Sequence, residues 1–249
     1  MRERALGSTF ADEEVVRLYA LRPGYPAETI EALTHLIVEP RSVLDAGCGR
    51  GELARALVAA ARRVDAVDPS VAMMDAGRRL LHGDDTRLRW ILARAEDAPL
   101  DPPYGLIVCG SSLHWMDLDI VLPRFRDALA PGARLAIVDA DSRRPGGALG
   151  EELLGLIRQY SRLRTTGEWL REIVARGRFL VEGEAHSAAF AIDQPPEEYL
   201  AELGSTSTLS RVTLGDRFEG FRADFRALFA GQALVRREVV GHVIWGRPA

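Results

Sequence analysis

Hydrophobic positions in the first half of the chain fall into short runs, each followed by a stretch with helical spacing. Val43-Leu44, Val64 to Val67, Leu88 to Leu92, Leu106 to Cys109 and Arg134 to Val138 read as strands. Glu52 to Arg63, Val71 to Leu81 and Asp119 to Leu129 have helical composition, and Ser70 is placed to cap the second of these. Such strict alternation builds a parallel sheet with helices on both faces. Two helices are expected ahead of it. Residues 10–22 put Val15, Leu18 and Tyr19 on one face before Pro23 and Pro26 break the pattern, and residues 27–37 run until Pro40 stops them.

Beyond Asp141 the alternation fails. Residues 146–176 and 195–229 are mostly helical in pattern, whereas 185–192 and 238–245 look like strands. The simplest account is one domain over 1–249. In it, 1–40 supply N-terminal helices and 41–141 the core. Residues 142–184 and 195–232 form a helical lid fused to that core, and 185–192 and 236–245 close the sheet.

The chemistry concentrates at Ser42 to Gly51, read as Ser-Val-Leu-Asp-Ala-Gly-Cys-Gly-Arg-Gly. A strand enters, three glycines turn the chain, and a helix leaves. Glycine permits positive φ and carries no Cβ, so a ligand can lie against the backbone N–H groups at the helix start. Asp68 closes the second strand, 17 residues after Gly51. A carboxylate there can accept hydrogen bonds from both hydroxyls of a ribose.

With Ala95-Glu96-Asp97, His114-Trp115, Arg22-Pro23-Gly24-Tyr25-Pro26 and Leu129 to Leu135, these residues resemble the class I S-adenosylmethionine-dependent methyltransferases. The likeness covers roughly residues 15–140 and points to the small-molecule branch that includes relatives of trans-aconitate methyltransferase. It implies an α/β fold with a Rossmann-like, seven-stranded sheet. It also implies S-adenosylmethionine as cofactor, S-adenosylhomocysteine as product, and no metal. Cofactor contacts carried over by the resemblance are Tyr19, Arg22, Asp45, Gly47, Cys48, Gly49, Gly51, Asp68, Pro69, Met73, Ala95, Glu96, Gly110 and Ser111. Arg22 would meet the cofactor carboxylate, and Met73 and the Glu96 neighbourhood the adenine. Tyr25 and Trp115 would face the acceptor. His114 would act as a general base toward a hydroxyl, or orient a carboxylate. The acceptor is expected to be a small molecule methylated on oxygen.

Composition narrows the alternatives. The net charge is −4, with 32 basic and 36 acidic residues interspersed, so no basic face points to nucleic acid. Cys48 and Cys109 form no CxxC pair and offer no tetrahedral metal site. No run of about 18 apolar residues is present, and the charged N-terminus is unlike a signal peptide. A cytoplasmic monomer or homodimer without membrane or nucleic-acid partners is the expectation. All basic side chains other than His are Arg, which excludes Schiff-base chemistry by lysine. A nicotinamide oxidoreductase would need Gly-x-Gly-x-x-Gly, whereas here the loop is Gly-x-Gly-x-Gly between Asp45 and Glu52, a setting suited to a cation. A non-catalytic binder of the same cofactor has the same sequence signature. Asp101-Pro102-Pro103-Tyr104 resembles the catalytic tetrapeptide of adenine-N6 methyltransferases, but it precedes its strand and so falls at the wrong edge of the sheet. Lid arginines Arg162, Arg164 and Arg211 are candidates for holding an acidic substrate.

Overall fold

The computed structural model describes residues 7–161 and 172–249. Its internal contacts divide the chain into two units. One comprises residues 24–140, 165–188 and 241–249, and the other 1–23, 141–164 and 189–240.

The larger unit holds the alternating elements. Strands β1 (Ser42–Ala46), β2 (Arg63–Asp68), β3 (Leu88–Leu92), β4 (Leu106–Gly110), β5 (Leu135–Ser142), β6 (Phe179–His186) and β8 (Val235–Pro248) lie in the order β3-β2-β1-β4-β5-β8-β6. Seven strands on one path fit the expected sheet. Pairing is parallel from β3 through β5, and Val43 faces Val64 on one side and Leu106 on the other. The order reverses at β1, whose neighbours are β2 and β4, so the glycine loop leaves the sheet at a topological switch point.

Buried on both faces, the central strands read as continuous apolar runs. Leu44, Ile107, Cys109, Leu135 and Ile137 join Val121, Leu122 and Phe125 of helix α5 (Leu118–Ala128) in one core. Val43, Leu106, Val108, Ala136 and Val138 point the other way. They meet Leu33 of α2 (Ala27–Leu36) and Leu53, Ala54 and Leu57 of α3 (Glu52–Leu57). Helix α4 (Val71–Arg78) begins as expected, with Ser70 Oγ accepting the Met73 N–H.

The Asp-Pro-Pro-Tyr segment is a structural anchor at the start of β4. Tyr104 Oη donates to the fully buried Asp65 at 2.6 Å and accepts the Asp101 N–H at 3.0 Å. Arg89 pairs with Asp65 at 2.9 Å, and both Arg63 and Arg89 pair with Asp101.

The second unit contains α1 (Glu13–Tyr19), α6 (Gly147–Tyr160), α7 (Pro196–Gly204), α8 (Arg211–Leu214) and α9 (Arg217–Leu228). Its strand β7 (Phe190–Gln194) pairs antiparallel with the first half of β8. It has its own core, in which Leu153, Tyr199, Phe218, Phe221, Phe225 and Phe229 pack together. Arg237 is buried there over the Tyr199 ring, 2.5 Å from Glu202, and it donates to Gln194 and Ser142. The strand expected at 185–192 is two strands. Ser187 ends the pairing of β6 by bonding Gly241 through both its N–H and its hydroxyl, and the chain then leaves for β7. Arg162 and Arg164 lie outside the described residues. Arg211 is ion-paired with Glu219 at 2.9 Å and Glu14 at 3.6 Å, which places it in a solvated charge cluster.

Candidate functional site

Asp45 is the penultimate residue of β1 and is fully buried. The residue that precedes helix α3, Gly51, has no side chain to cap it, and the orphan N–H of Ala54 is taken by Asp45 Oδ2 at 3.0 Å. Burial pushes the Asp45 carboxyl up to about 8. The Ala54 N–H pulls it down, and the negative charges of Glu52 and Asp68 add to the rise. A cation nearby would relieve that stress.

The three glycines of the loop have φ of +71°, +55° and +72°. Each has a different reason to be glycine. A Cβ on Gly47 would fall 2.5 Å from Ser112 Cβ, and one on Gly51 would fall 2.6 Å from the Trp90 ring. Gly49 has nothing within 4 Å of where its Cβ would stand. Open space above a left-handed glycine at a strand–helix turn is a cradle for a ligand.

Asp68 is the loop's anchor. Its Oδ2 accepts the Gly49 N–H at 2.8 Å and its Oδ1 accepts the Ser70 N–H at 2.8 Å. Both oxygens are thus engaged, yet each keeps a second acceptor site. Burial raises its pKa while those two N–H groups lower it. Pro69 is exposed beside it. Cys48 is buried next to three carboxylates, so its thiol is held well above the usual range and is no nucleophile.

Glu96, after β3, is buried and joins two loops. Its Oε1 accepts the Asp117 N–H at 2.8 Å and pairs with Arg94 at 3.2 Å. Burial pushes its pKa up, but Arg94 and that N–H outweigh it and the net shift is downward. Ala95 is buried beside it, and Met73 is fully buried on α4.

Beyond β4 the backbone is strained. Ser111 has φ of +46°, uncommon for a residue with a Cβ, and its hydroxyl donates to Asp139 at 2.8 Å. Ser112 donates to the Ala46 carbonyl at 2.6 Å, closing β4's exit onto β1. Gly110 lets Tyr25 approach, since a Cβ there would fall 2.6 Å from Tyr25 Oη and 2.8 Å from Leu53. His114 and Trp115 follow in a 3₁₀ turn, with ring centroids 4.2 Å apart. Burial pushes the His114 imidazole down to about 4, against the attraction of Asp139. It is neutral at pH 7 and a weaker base than an ordinary histidine, whose pKa is near 6.5.

In the larger unit, Tyr25, Asp45, Gly47, Cys48, Gly49, Gly51, Asp68, Glu96, Gly110, Ser111 and His114 lie on the loops or strand ends just described. Tyr19 and Arg22 belong to the second unit. There Arg22 donates to the Ser205 hydroxyl at 2.8 Å and the Ser205 carbonyl at 2.7 Å, with its guanidinium 4.2 Å from the Tyr19 ring centre. Those bonds engage Nε and Nη2 of the guanidinium.

Sequence reasoning passed over Asp139, Ser112, Trp90 and Gly77. Asp139 carries the same signal as Asp68, an acid at the carboxyl end of a parallel strand. Gly77 and Trp90 act as a pair. The Arg50 carbonyl lies 2.4 Å from where a Gly77 Cβ would stand and the Trp90 ring 2.6 Å from it, so the glycine loop rests directly on α4.

Residues 43–132 match a family model described as a methyltransferase domain. Uncharacterized methyltransferases of Mycobacterium bovis and Mycobacterium tuberculosis are each 36% identical over 118 residues, covering 47% of this chain and 46% of theirs. A carboxy-S-adenosyl-L-methionine synthase of Pseudomonas fluorescens is 33% identical over 153 residues, covering 55% of this chain and 58% of its own. The chain spans about half the length of the curated relatives it matches. Among solved structures, that of a proposed type II methyltransferase from Anaeromyxobacter dehalogenans superposes with a TM-score of 0.69. It is 23% identical and covers 91% of this chain and 97% of that one, so the two share a fold. No helix among the described residues is long and apolar enough to cross a membrane.

Proposed function

We propose that residues 43–132, which match a methyltransferase domain, form the core of a class I S-adenosylmethionine-dependent methyltransferase, and that this chain transfers a methyl group from S-adenosylmethionine to a small-molecule acceptor. The observation that carries the reading is the open cradle at Gly49, set between the buried carboxylates of Asp45 and Asp68 with Glu52 at the helix start. The charges of Asp68 and Glu52 disfavour a pyrophosphate there, and Asp45, protonated near pH 7 when no cation adjoins it, would ionise beside a cationic ligand and favour it. The cofactor, when bound, supplies a methyl group already activated on a sulfonium.

The chain's own residues then have positioning work. Asp68 has acceptor capacity left for ribose hydroxyls while it holds Gly49. Glu96 fixes the loops after β3 and β4 against each other. Tyr25 walls the end of β4 at Gly110. Orientation of this kind can supply about 7–11 kcal/mol of a barrier without a covalent intermediate. His114, neutral at pH 7, can accept a proton from a hydroxyl acceptor or hold an ionised one. An oxygen acceptor follows the resemblance to carboxylate methyltransferases. The test is incubation of the protein with cofactor carrying a labelled methyl and a metabolite extract. Label should appear in one or a few small molecules, and at limiting cofactor its amount should fall about tenfold or more when Asp68→Ala replaces the parent. No transfer from any extract, with cofactor binding intact, would favour a non-catalytic binder.

A further inference from the structure

Away from the glycine loop, the antiparallel pair β6–β8 brings together three metal-ligating side chains far apart in sequence. His186 stands directly opposite His242 in the register, and their rings stack 3.9 Å apart at 12°. Glu184 precedes His186 by two residues, so it shares the same face of the strand. Its Oε2 lies 3.2 Å from His242 Nε2, and one ligand atom from each of the three residues falls within 4.8 Å of the others.

We propose that Glu184, His186 and His242 form a binding site for a borderline divalent transition-metal cation, with zinc as its probe. Tetrahedral zinc with bonds of 2.0–2.1 Å sets its ligand atoms about 3.3 Å apart. The Glu184–His242 pair already has that spacing. Glu184 and His186 are exposed, so their side chains can rotate to close the remaining distance. Two imidazoles and one carboxylate select zinc, nickel or copper over magnesium and calcium, which take oxygen ligands. Three protein ligands at an exposed position leave a fourth for water.

Position gives the site a consequence. β6 ends the strand order, and its pairing with β8 is irregular at Val181/Gly183. A metal at His186–His242 would staple the terminal strand beyond that irregularity. Gly241, next to His242, has no room for a Cβ because Thr29 and Pro26 of the α2 start press against it. The staple therefore adjoins the helix that carries Tyr25 at its head.

The test uses the untagged full chain, freed of metal by chelator and titrated with zinc chloride in a calorimeter. Zinc affinity at this site should fall at least about tenfold in His186→Gln and in His242→Gln, since even groups that only support a metal ligand cost that much when removed. Zinc should raise the parent's melting temperature and leave the double variant unmoved, while magnesium and calcium leave both unmoved. Melting of both variants with chelator present, at the parent's temperature, shows that they fold. No zinc uptake by the parent, or parent-like affinity in the double variant, overturns the site. Methyl transfer is not needed for any of these readouts.

Discussion

The Gly49 N–H donates to Asp68 Oδ2 at 2.8 Å, so the carboxylate that closes β2 holds the middle of the loop that leaves β1. Ligand recognition and loop shape therefore depend on the same side chain. Asp68→Ala should weaken S-adenosylhomocysteine binding by tenfold or more. It should also lower stability by roughly 1–3 kcal/mol, because the buried Ser70 N–H and the partly buried Gly49 N–H lose a charged acceptor. Calorimetry and urea unfolding measure the two effects separately. Unchanged stability would mean that the Gly49 and Ser70 bonds contribute nothing.

Two loop glycines should respond differently to alanine. At Gly47 a Cβ meets both positive φ and Ser112 at 2.5 Å, whereas at Gly49 it meets only positive φ. Gly49→Ala should cost about 1–2 kcal/mol of stability, the usual strain of a left-handed alanine. Gly47→Ala should cost more. Gly49→Ala should still abolish most cofactor affinity, since the methyl fills the cradle. Equal stability losses in the two variants would remove the distinction.

Asp45 should make the protein less stable as pH rises. Its carboxyl has a pKa of about 8 when folded and 3.8 as its ordinary value, so between these the folded state binds the extra proton. Stability from this group is then present at low pH and lost as pH climbs through about 8, by at most about 1.4 kcal/mol per pH unit. Asp45→Asn can still accept the Ala54 N–H through its carbonyl oxygen, and it should flatten that slope. Urea unfolding midpoints followed across this range check the sign.

His114 should titrate near 4 and not near its ordinary 6.5. With the folded pKa depressed, stability from this group is lost as pH falls below about 6.5. NMR titration of the imidazole reads the value directly. For a hydroxyl acceptor, His114→Ala should lower kcat by about 10² to 10⁴ with cofactor affinity nearly intact. An orienting role would instead raise the acceptor's KM.

Local pattern carried much of this fold. Leu88–Leu92 is a strand at the residues where its apolar run predicts one, and Ser70 caps α4 because a hydroxyl before a helical stretch can do little else. Position relative to the strand also identified Asp-Pro-Pro-Tyr as structural, and Tyr104 now has its partner in Asp65. Long-range pairing was not legible. No feature of Ser187 to Ala189 distinguishes a break from a continuing strand until Gly241 takes up Ser187's bonds. His186 and His242 meet only through the β6–β8 register. Asp139 carried the same signal as Asp68, and only its partner, the strained Ser111 that donates to it, was not legible.

Whether the Gly49 cradle takes S-adenosylmethionine decides the functional reading, and calorimetric titration of the chain with S-adenosylhomocysteine answers it. Saturable binding at one site per chain is expected, lost in Gly49→Ala, with no heat from nicotinamide dinucleotides. Binding of a dinucleotide with none of S-adenosylhomocysteine, or S-adenosylhomocysteine binding that is untouched in Gly49→Ala, would contradict it.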